Sequence, residues 1–376
     1  MQNVRQNSNI SVLAEEIIGN ILLRLPVKTL VQLKCVCKLW CALISTPWFI
    51  SVHLKRFSSD PDAHYILVQS TEINGLIPIR NPSCLIKLTE PYKADYSVVG
   101  SINGLVCLND RYSKLICLWN PSIHQFKMLP MHNIKLQKTR KCYVSLGFGY
   151  EQNSDDYKVM RILNYYKGTP LNIVEVYSTK LESWRKVKTD VHLNMNTCSC
   201  DAIVEGFTYW VVRNTNEPRK AVLASFNLRS EMFSVIPVPE VLVTESHSFR
   251  AINYHGSLAL LAYSSHNEFE KCLEIWMIEG GSCGEGVWQK KFTFGMGFKI
   301  STHWGLTNGD IVVENAPNTP FLFNLRTKQL RIMGTHFIHS VFYYTESLVS
   351  IKGFKPCPFV NEGEKEGFNS IEEKER

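Results

Sequence analysis

The sequence predicts a chain in two parts: a small all-α unit followed by an all-β propeller of six blades. Three observations carry that reading. Residues Ile17–Trp40 hold two short amphipathic helical stretches around one proline, and nothing comparable follows them. From about residue 62 onward, short β-rich runs alternate with Gly, Asn, Asp and Pro turns. Within that region one unit recurs every roughly 50 residues, the spacing expected of propeller blades.

Length and composition agree. The 376 residues leave room for two or three domains. A hydrophobic fraction of 45% can bury a sizeable core, and 11% aromatic residues suit cross-strand packing. The formal charge is +7. Residues 361–376 carry six Glu against two Lys and one Arg, so removing that −3 leaves +10 on the body. The basic residues are scattered, with no block of five, which argues for a mildly basic solvated surface and against a nucleic-acid partner. The start of the sequence is polar and lacks the apolar core of a signal peptide, and no apolar run approaches a membrane span. A reducing cytoplasmic or nuclear compartment is therefore expected, with the 12 cysteines as buried thiols and no membrane partner.

In the helical unit, Ile17, Ile18, Ile21, Leu22 and Leu25 form one wide apolar stripe on an α-helix. Ser11 is the expected N-cap, and Glu15 and Glu16 suit the positive end of the helix dipole. Leu25-Pro26 ends the helix, because proline disfavours α geometry in the residue before it. A second helix is expected from a cap at Thr29, with Leu30, Leu33, Cys37 and Trp40 on one face and Val36 beside them; Pro47 stops the segment that follows. The stripe suits equally a face packed on the next domain and a face for a partner. Cys35 and Cys37 alone cannot complete a zinc site.

The strings LRLPVKTL at 23–30, KCVCKLW at 34–40 and LISTPWF at 43–49, with His53-Leu54, resemble the plant F-box over residues 10–55. One departure is that Leu13 is followed by Ala14 where the family has proline, which is expected to weaken docking slightly. The resemblance implies insertion into the Skp adaptor of a cullin-based ubiquitin ligase. Leu13, Ile17, Ile21, Leu22, Leu25, Pro26 and Val36 match positions that form or support that docking face, with Leu22 and Pro26 as the foremost contacts and Trp40 as core.

The β region repeats an apolar strand, a polar turn and then an aromatic or large apolar residue. Clear copies lie at 115–130, 173–187, 222–239, 272–292 and 320–333, with turns starting near Asn120, Ser178, Asn227, Met277 and Asn324. Asn and Ser favour the reversal, and Phe126, Trp184, Phe233 and Trp288 read as filling between blades. A weaker unit at 65–88 and a last strand near Val341–Ile351 are expected to pair, closing a kelch-like ring of six blades without free edges. The strings SINGLVCL at 101–108, LWNPS at 118–122, GFGY at 147–150, DDYKV at 155–159, VEVYS at 174–178 and ESLV at 346–349, in this order, resemble the F-box-associated domain of plant F-box/kelch proteins. The expected organisation is a disordered 1–9, the F-box at 10–55, the propeller at 62–352 and a disordered acidic tail at 353–376.

The sequence holds no HExxH, phosphate-binding Gly-Lys-Ser/Thr loop or Gly-x-Ser-x-Gly elbow. Gly280–Gly286 reads as a hairpin loop, Asp155-Asp156 as a turn and Cys198-Ser-Cys200 as buried thiols. No cofactor, metal or catalytic residue is expected. The resemblance implies the substrate-recognition subunit of a Skp–cullin–F-box (SCF) ligase, with cullin and a RING subunit reached through the adaptor. The chain would supply proximity, not bond chemistry. A non-degradative Skp-bound scaffold or competitor is the alternative, and a propeller enzyme the third choice. Target contacts are expected on interstrand loops, at Tyr165, Tyr166 and Lys167 and at Arg213, with 264–271 as a further loop. The whole pattern resembles the S-locus F-box-like group, whose implied target is an S-ribonuclease; the basic body does not favour a basic target.

Overall fold

A computed structural model describes residues 16–60, 63–70, 74–89, 91, 96–110, 115–134, 142–165, 172–189, 191, 193–194, 200–214, 221–244, 248–264, 272–279, 286–297, 300–305, 309–315, 319–336 and 338–357. Among them, six antiparallel sheets follow one another as blades. Blade 1 joins the late strand Ile338–Thr345 to His64–Ser70, Asn74–Pro78 and Ile86–Lys87. Blades 2 to 6 open with Tyr96–Ile102, Cys142–Glu151, the broken pair Leu193–Asn194 and Ala202–Val204, Ser248–Tyr254 and Ile300–Gly305. The expected closure is present: Ile338–Thr345 pairs His64–Ser70 in the register His64↔Thr345 to Val68↔Val341. That pairing satisfies two strand edges that would otherwise be open.

Turn chemistry separates the two ends of the ring. In blades 2 to 6 the first and third hairpin turns fall at one end, and the connections after the second and fourth strands fall at the other. All eight described non-glycine residues with positive φ lie in turns of the first kind: Asn103, His124, Asp155, Glu182, Glu205, Glu231, His255 and Lys328. Asn103-Gly104, Glu205-Gly206 and His255-Gly256 are two-residue reversals with both residues left-handed, the geometry that matches strand twist. The third-hairpin turns are held by the expected side chains. Asn120 Oδ1 accepts from the Ser122 amide (3.0 Å), Asn227 Oδ1 from Arg229 (2.8 Å), Asn324 Oδ1 from Thr327 (2.8 Å) and Ser178 Oγ from Leu181 (3.0 Å). Met277 does not start a turn: it lies within strand Cys272–Glu279, paired with Gln289. Asp155 sits in a turn, and Asp156 accepts from Ser178 Oγ (2.6 Å) and the Lys180 amide (3.0 Å), latching two hairpins together.

The helical unit comprises α1 (residues 16–22), α2 (Val27–Leu33), α3 (Lys38–Ile44) and α4 (Pro47–Ser58). Three details differ from expectation. Helix α2 starts at Val27 with extended Pro26 as its N-cap, so Thr29 lies inside the first turn. The expected single second helix is two, because the chain breaks at 34–37 and Cys37 Sγ accepts from the Trp40 amide (3.5 Å) to begin α3. Pro47 starts α4 as well as ending its predecessor; its missing N–H is harmless at a first helical position, and Thr46 Oγ1 accepts from the Phe49 amide (3.2 Å).

Apolar cores lie between neighbouring blades. One joins Leu105, Cys107 and Leu118 of blade 2 to Phe148, Val159 and Trp184 of blade 3, with Ile50 and Leu54 of α4 packed on it. Of the four predicted fillers, Trp184 is buried, while Phe126, Phe233 and Trp288 are partly buried against the cores. Charged pairs are buried too. Arg161 Nη1 donates to Glu175 (2.6 Å), whose other oxygen accepts from the Ile134 amide (2.9 Å). Lys158 of blade 3 reaches Glu231 of blade 4 (2.8 Å).

The two parts are not joined by a bare linker. Leu348 inserts among Leu22, Leu23, Val27, Leu30, Ile44 and Phe49 of the helical unit. Its neighbours are fastened to blade 2: Asn120 Nδ2 donates to the carbonyls of Ser347 (3.0 Å) and Val349 (2.8 Å), and Ser347 Oγ donates to that of Asn103 (2.7 Å). Gly104 permits this approach, since a Cβ there would lie 2.2 Å from Ser347 Oγ. The tail boundary also moves: Lys355–Pro356 pairs with Phe126 and Gln125 as a fifth strand on blade 2, so the ordered chain continues past residue 353. The rest of the expected acidic tail, and the expected disordered 1–9, lie outside the described residues.

Candidate partner-docking faces

The helical unit divides the predicted stripe between two environments. Leu22 is 2% exposed in the core with Leu348, so it supports the unit from within and is not itself a surface contact. Ile17 and Ile21, one helical turn apart, point outward and are each more than half exposed, as is Val36. Leu25 is half-buried and Pro26 exposed. Leu13 lies outside the described residues. Trp40 packs against the core, as expected. Leu39 and Trp48, not singled out from sequence, are also more than half exposed. A unit this small displaying five large apolar side chains is unlike an ordinary solvated surface.

His53, quoted only as part of a string, fixes the helix entry. It is buried, its ring lies 4.3 Å from that of Phe57, and Nε2 donates to the carbonyl of Leu25 (2.9 Å). That carbonyl lies in the break between α1 and α2, so the bond ties the end of α1 to α4. Burial, more than the nearby Arg56 charge, lowers the His53 pKa.

The loop candidates fall at the other end of the ring. Tyr165, half-buried, closes strand Asp156–Tyr165 opposite Cys142. Arg213 lies near the end of strand Phe207–Asn214, paired with Asn194 and Ala221. Both strands are second in their blade, so they end away from the helices, at adjacent positions around the ring. Tyr166, Lys167 and the interiors of the predicted loops lie outside the described residues. At the helix end, α2 contacts the turn Pro121–Ile123 and α4 ends six residues before His64.

The expected burial of the cysteines holds in part: among the described residues Cys107, Cys117, Cys200 and Cys357 are buried, whereas Cys35, Cys37, Cys41 and Cys84 are exposed. Cys107 and Cys117 are fully buried, and burial pushes both thiols upward. Cys200 is pushed up to about 12 by burial, while Cys198 lies outside the described residues. Such thiols are poor nucleophiles.

Comparison with known proteins matches residues 10–51 to the F-box domain and residues 69–334 to the F-box associated beta propeller domain. F-box protein At3g07870 of Arabidopsis thaliana is 24% identical, over 75% of this chain and 72% of that protein. F-box/kelch-repeat protein At3g23880 of the same plant is 26% identical, over 66% and 71%. Its F-box protein CPR1 is 27% identical, over 74% and 72%. Among solved structures, a prolyl endopeptidase shares 9% identity over 78% of this chain at a TM-score of 0.37, too remote to bear on the reading.

Proposed function

The chain belongs to the F-box-associated β-propeller proteins, and from that premise we propose that it is the substrate-recognition subunit of an SCF-type ubiquitin ligase, working in the cytoplasm or nucleus. The observation that carries this reading is the set of outward apolar side chains Ile17, Ile21 and Val36 on a unit whose own core is already filled. In this reading these three residues and Pro26 meet the Skp adaptor, Leu13 and Leu25 flank them, and Leu22 holds the helix in place from beneath. Cullin and the RING subunit follow through the adaptor. The ring then holds a target protein in reach of the recruited conjugating enzyme, and the chain contributes proximity alone. Tyr165, Tyr166, Lys167 and Arg213 remain target contacts in this reading; of these, Tyr165 and Arg213 lie on strands that end away from the adaptor.

The test is capture of a purified plant Skp adaptor by the full chain. Ile21→Asp with Val36→Asp should weaken capture by about 30-fold or more, as removal of a central apolar anchor does. Both side chains are exposed, so the melting transition should stay put. Undiminished capture would overturn the reading. Recruitment of cullin along with the adaptor separates a ligase receptor from a scaffold that stops at the adaptor.

A further inference from the structure

At the helix end of the ring a cleft of about 1080 Å³ opens where innermost strands of four blades converge. Asn103 of blade 2, Ile203 of blade 4, Tyr254 of blade 5 and Tyr343 of blade 1 reach it, so it is the mouth of the central channel. Ser58 and Ser59, at the end of α4, form part of its rim. The cleft therefore lies beside the adaptor-docking unit, at the end opposite Tyr165 and Arg213.

Its lining is both aromatic and cationic. Phe292, 42% exposed, lies 6.1 Å from Tyr254 on one side and 6.1 Å from Phe294 on the other. His255 sits edge-on to Tyr254 at 4.7 Å, in a left-handed turn over Gly309, where a Cβ would come within 2.4 Å of the imidazole. Arg326 and Lys328, both exposed on the third-hairpin turn of blade 6, have no ion-pair partner among the described residues. The other charges are already engaged. Lys291 is paired with Glu279, and Asp310 is buried and accepts from Asn324 Nδ2 (2.7 Å). His64 shares a hydrogen bond with Thr345 (3.0 Å), and exposed Asp60 acts on it from outside. The unspent charge at this mouth is positive, and it borders exposed aromatic area.

We propose that this cleft is a second docking site, in addition to the contacts at the far end of the ring, for an acidic peptide segment carrying aromatic side chains, presented by the protein that the receptor delivers. Glutamates of the segment pair with Arg326 and Lys328, and an aromatic side chain lies on Phe292 and Tyr254. The combination sets register as well as affinity, because charge steers the approach and the aromatic contact fixes the seat. The proposal rests on the receptor reading, since it names the chemistry of what that receptor holds.

The experiment uses the full chain co-purified with its adaptor and a fluorescein-labelled peptide of four Glu-Glu-Phe repeats, followed by anisotropy. The peptide should bind at least about tenfold tighter than its Gln-Gln-Phe counterpart and weaken as salt rises from about 50 to 200 mM. Arg326→Glu with Lys328→Glu should cost about tenfold or more, and Phe292→Ala about fivefold, with the melt unchanged. Equal binding of the Glu and Gln peptides, or full affinity in the charge-reversed variant, overturns the proposal. The chain's own acidic stretch at 361–376 is the competing occupant. A chain ending at residue 357 should bind no tighter, and a tenfold gain on truncation would assign the cleft to that stretch and overturn the proposal. Adaptor capture on the same samples keeps the two readings apart. Adaptor bound without peptide removes the cleft site alone; peptide bound as expected without adaptor removes the receptor role and leaves the cleft.

Discussion

Replacing Leu348 by alanine should loosen the helical unit while leaving the ring intact. The side chain is 2% exposed and packs with Leu22, Val27, Leu30, Ile44 and Phe49, whereas the backbone on either side of it is held to blade 2 by Asn120. The substitution removes three carbons, about 2.4 kcal/mol of transfer free energy at roughly 0.8 kcal/mol per buried methylene. The cavity left behind raises the total to about 3–5 kcal/mol where the surroundings cannot collapse. They are poorly placed to do so, because Asn120 and Asn103 fix the segment to the ring. The loss falls on a helical unit too small to have much stability of its own. Amide hydrogen exchange should therefore show faster exchange in α1 to α4, with protection unchanged in blades 3 to 6. Adaptor capture should weaken although no docking residue is touched. Uniform protection of the helices in Leu348→Ala, or a loss below about 1 kcal/mol, would refute the reasoning that this leucine completes the helical core.

Glu175→Ala should cost about 3–5 kcal/mol in chemical denaturation, since it strands buried Arg161 without its partner; replacing both by Leu and Met should recover most of that loss. His53 gives the helical unit a pH dependence. Burial lowers its folded pKa below the ordinary 6.5, so the unfolded chain takes up the proton first, and stability present above about pH 6.5 is lost as pH falls toward the folded value. Helix protection should thus drop between about pH 7.5 and 5.5 in the wild type and less in His53→Gln, whose amide can still donate to Leu25; identical profiles would exclude His53 as the source. Asp201 runs the other way. Burial pushes it up to about 6, so its share of stability falls as pH rises from about 4 to 6, and Asp201→Asn should flatten a denaturation profile across that window.

The ring was legible because its signals are local. Asn120, Ser178, Asn227 and Asn324 each bond their own turn within three residues, so the sequence period is the structural period. Met277 misled because the long hairpin of blade 5 carries no such residue near it, and only strand register puts the turn later. In the helical unit, periodicity located the apolar stripe but not which half is covered. Ile21 and Leu22 are neighbours in sequence, and Leu22 is taken inward by a core that Leu348 completes from far along the chain. Likewise Phe292, Arg326 and His255 meet only because blades 5 and 6 are adjacent and their turns share an end. Contacts of that kind leave no spacing to read.

Leu348 also sets an order of events. The helical unit is translated first, yet it lacks one of its core side chains until the ribosome has passed nearly the whole propeller. The same late stretch brings Ile338–Thr345, without which blade 1 has no inner strand. A chain interrupted before that point carries both an open sheet edge and an uncovered helical core, the features that expose nascent proteins to aggregation and chaperones. Completion of the docking unit is thereby tied to completion of the recognition ring, so a half-made receptor is poorly equipped to compete for adaptor.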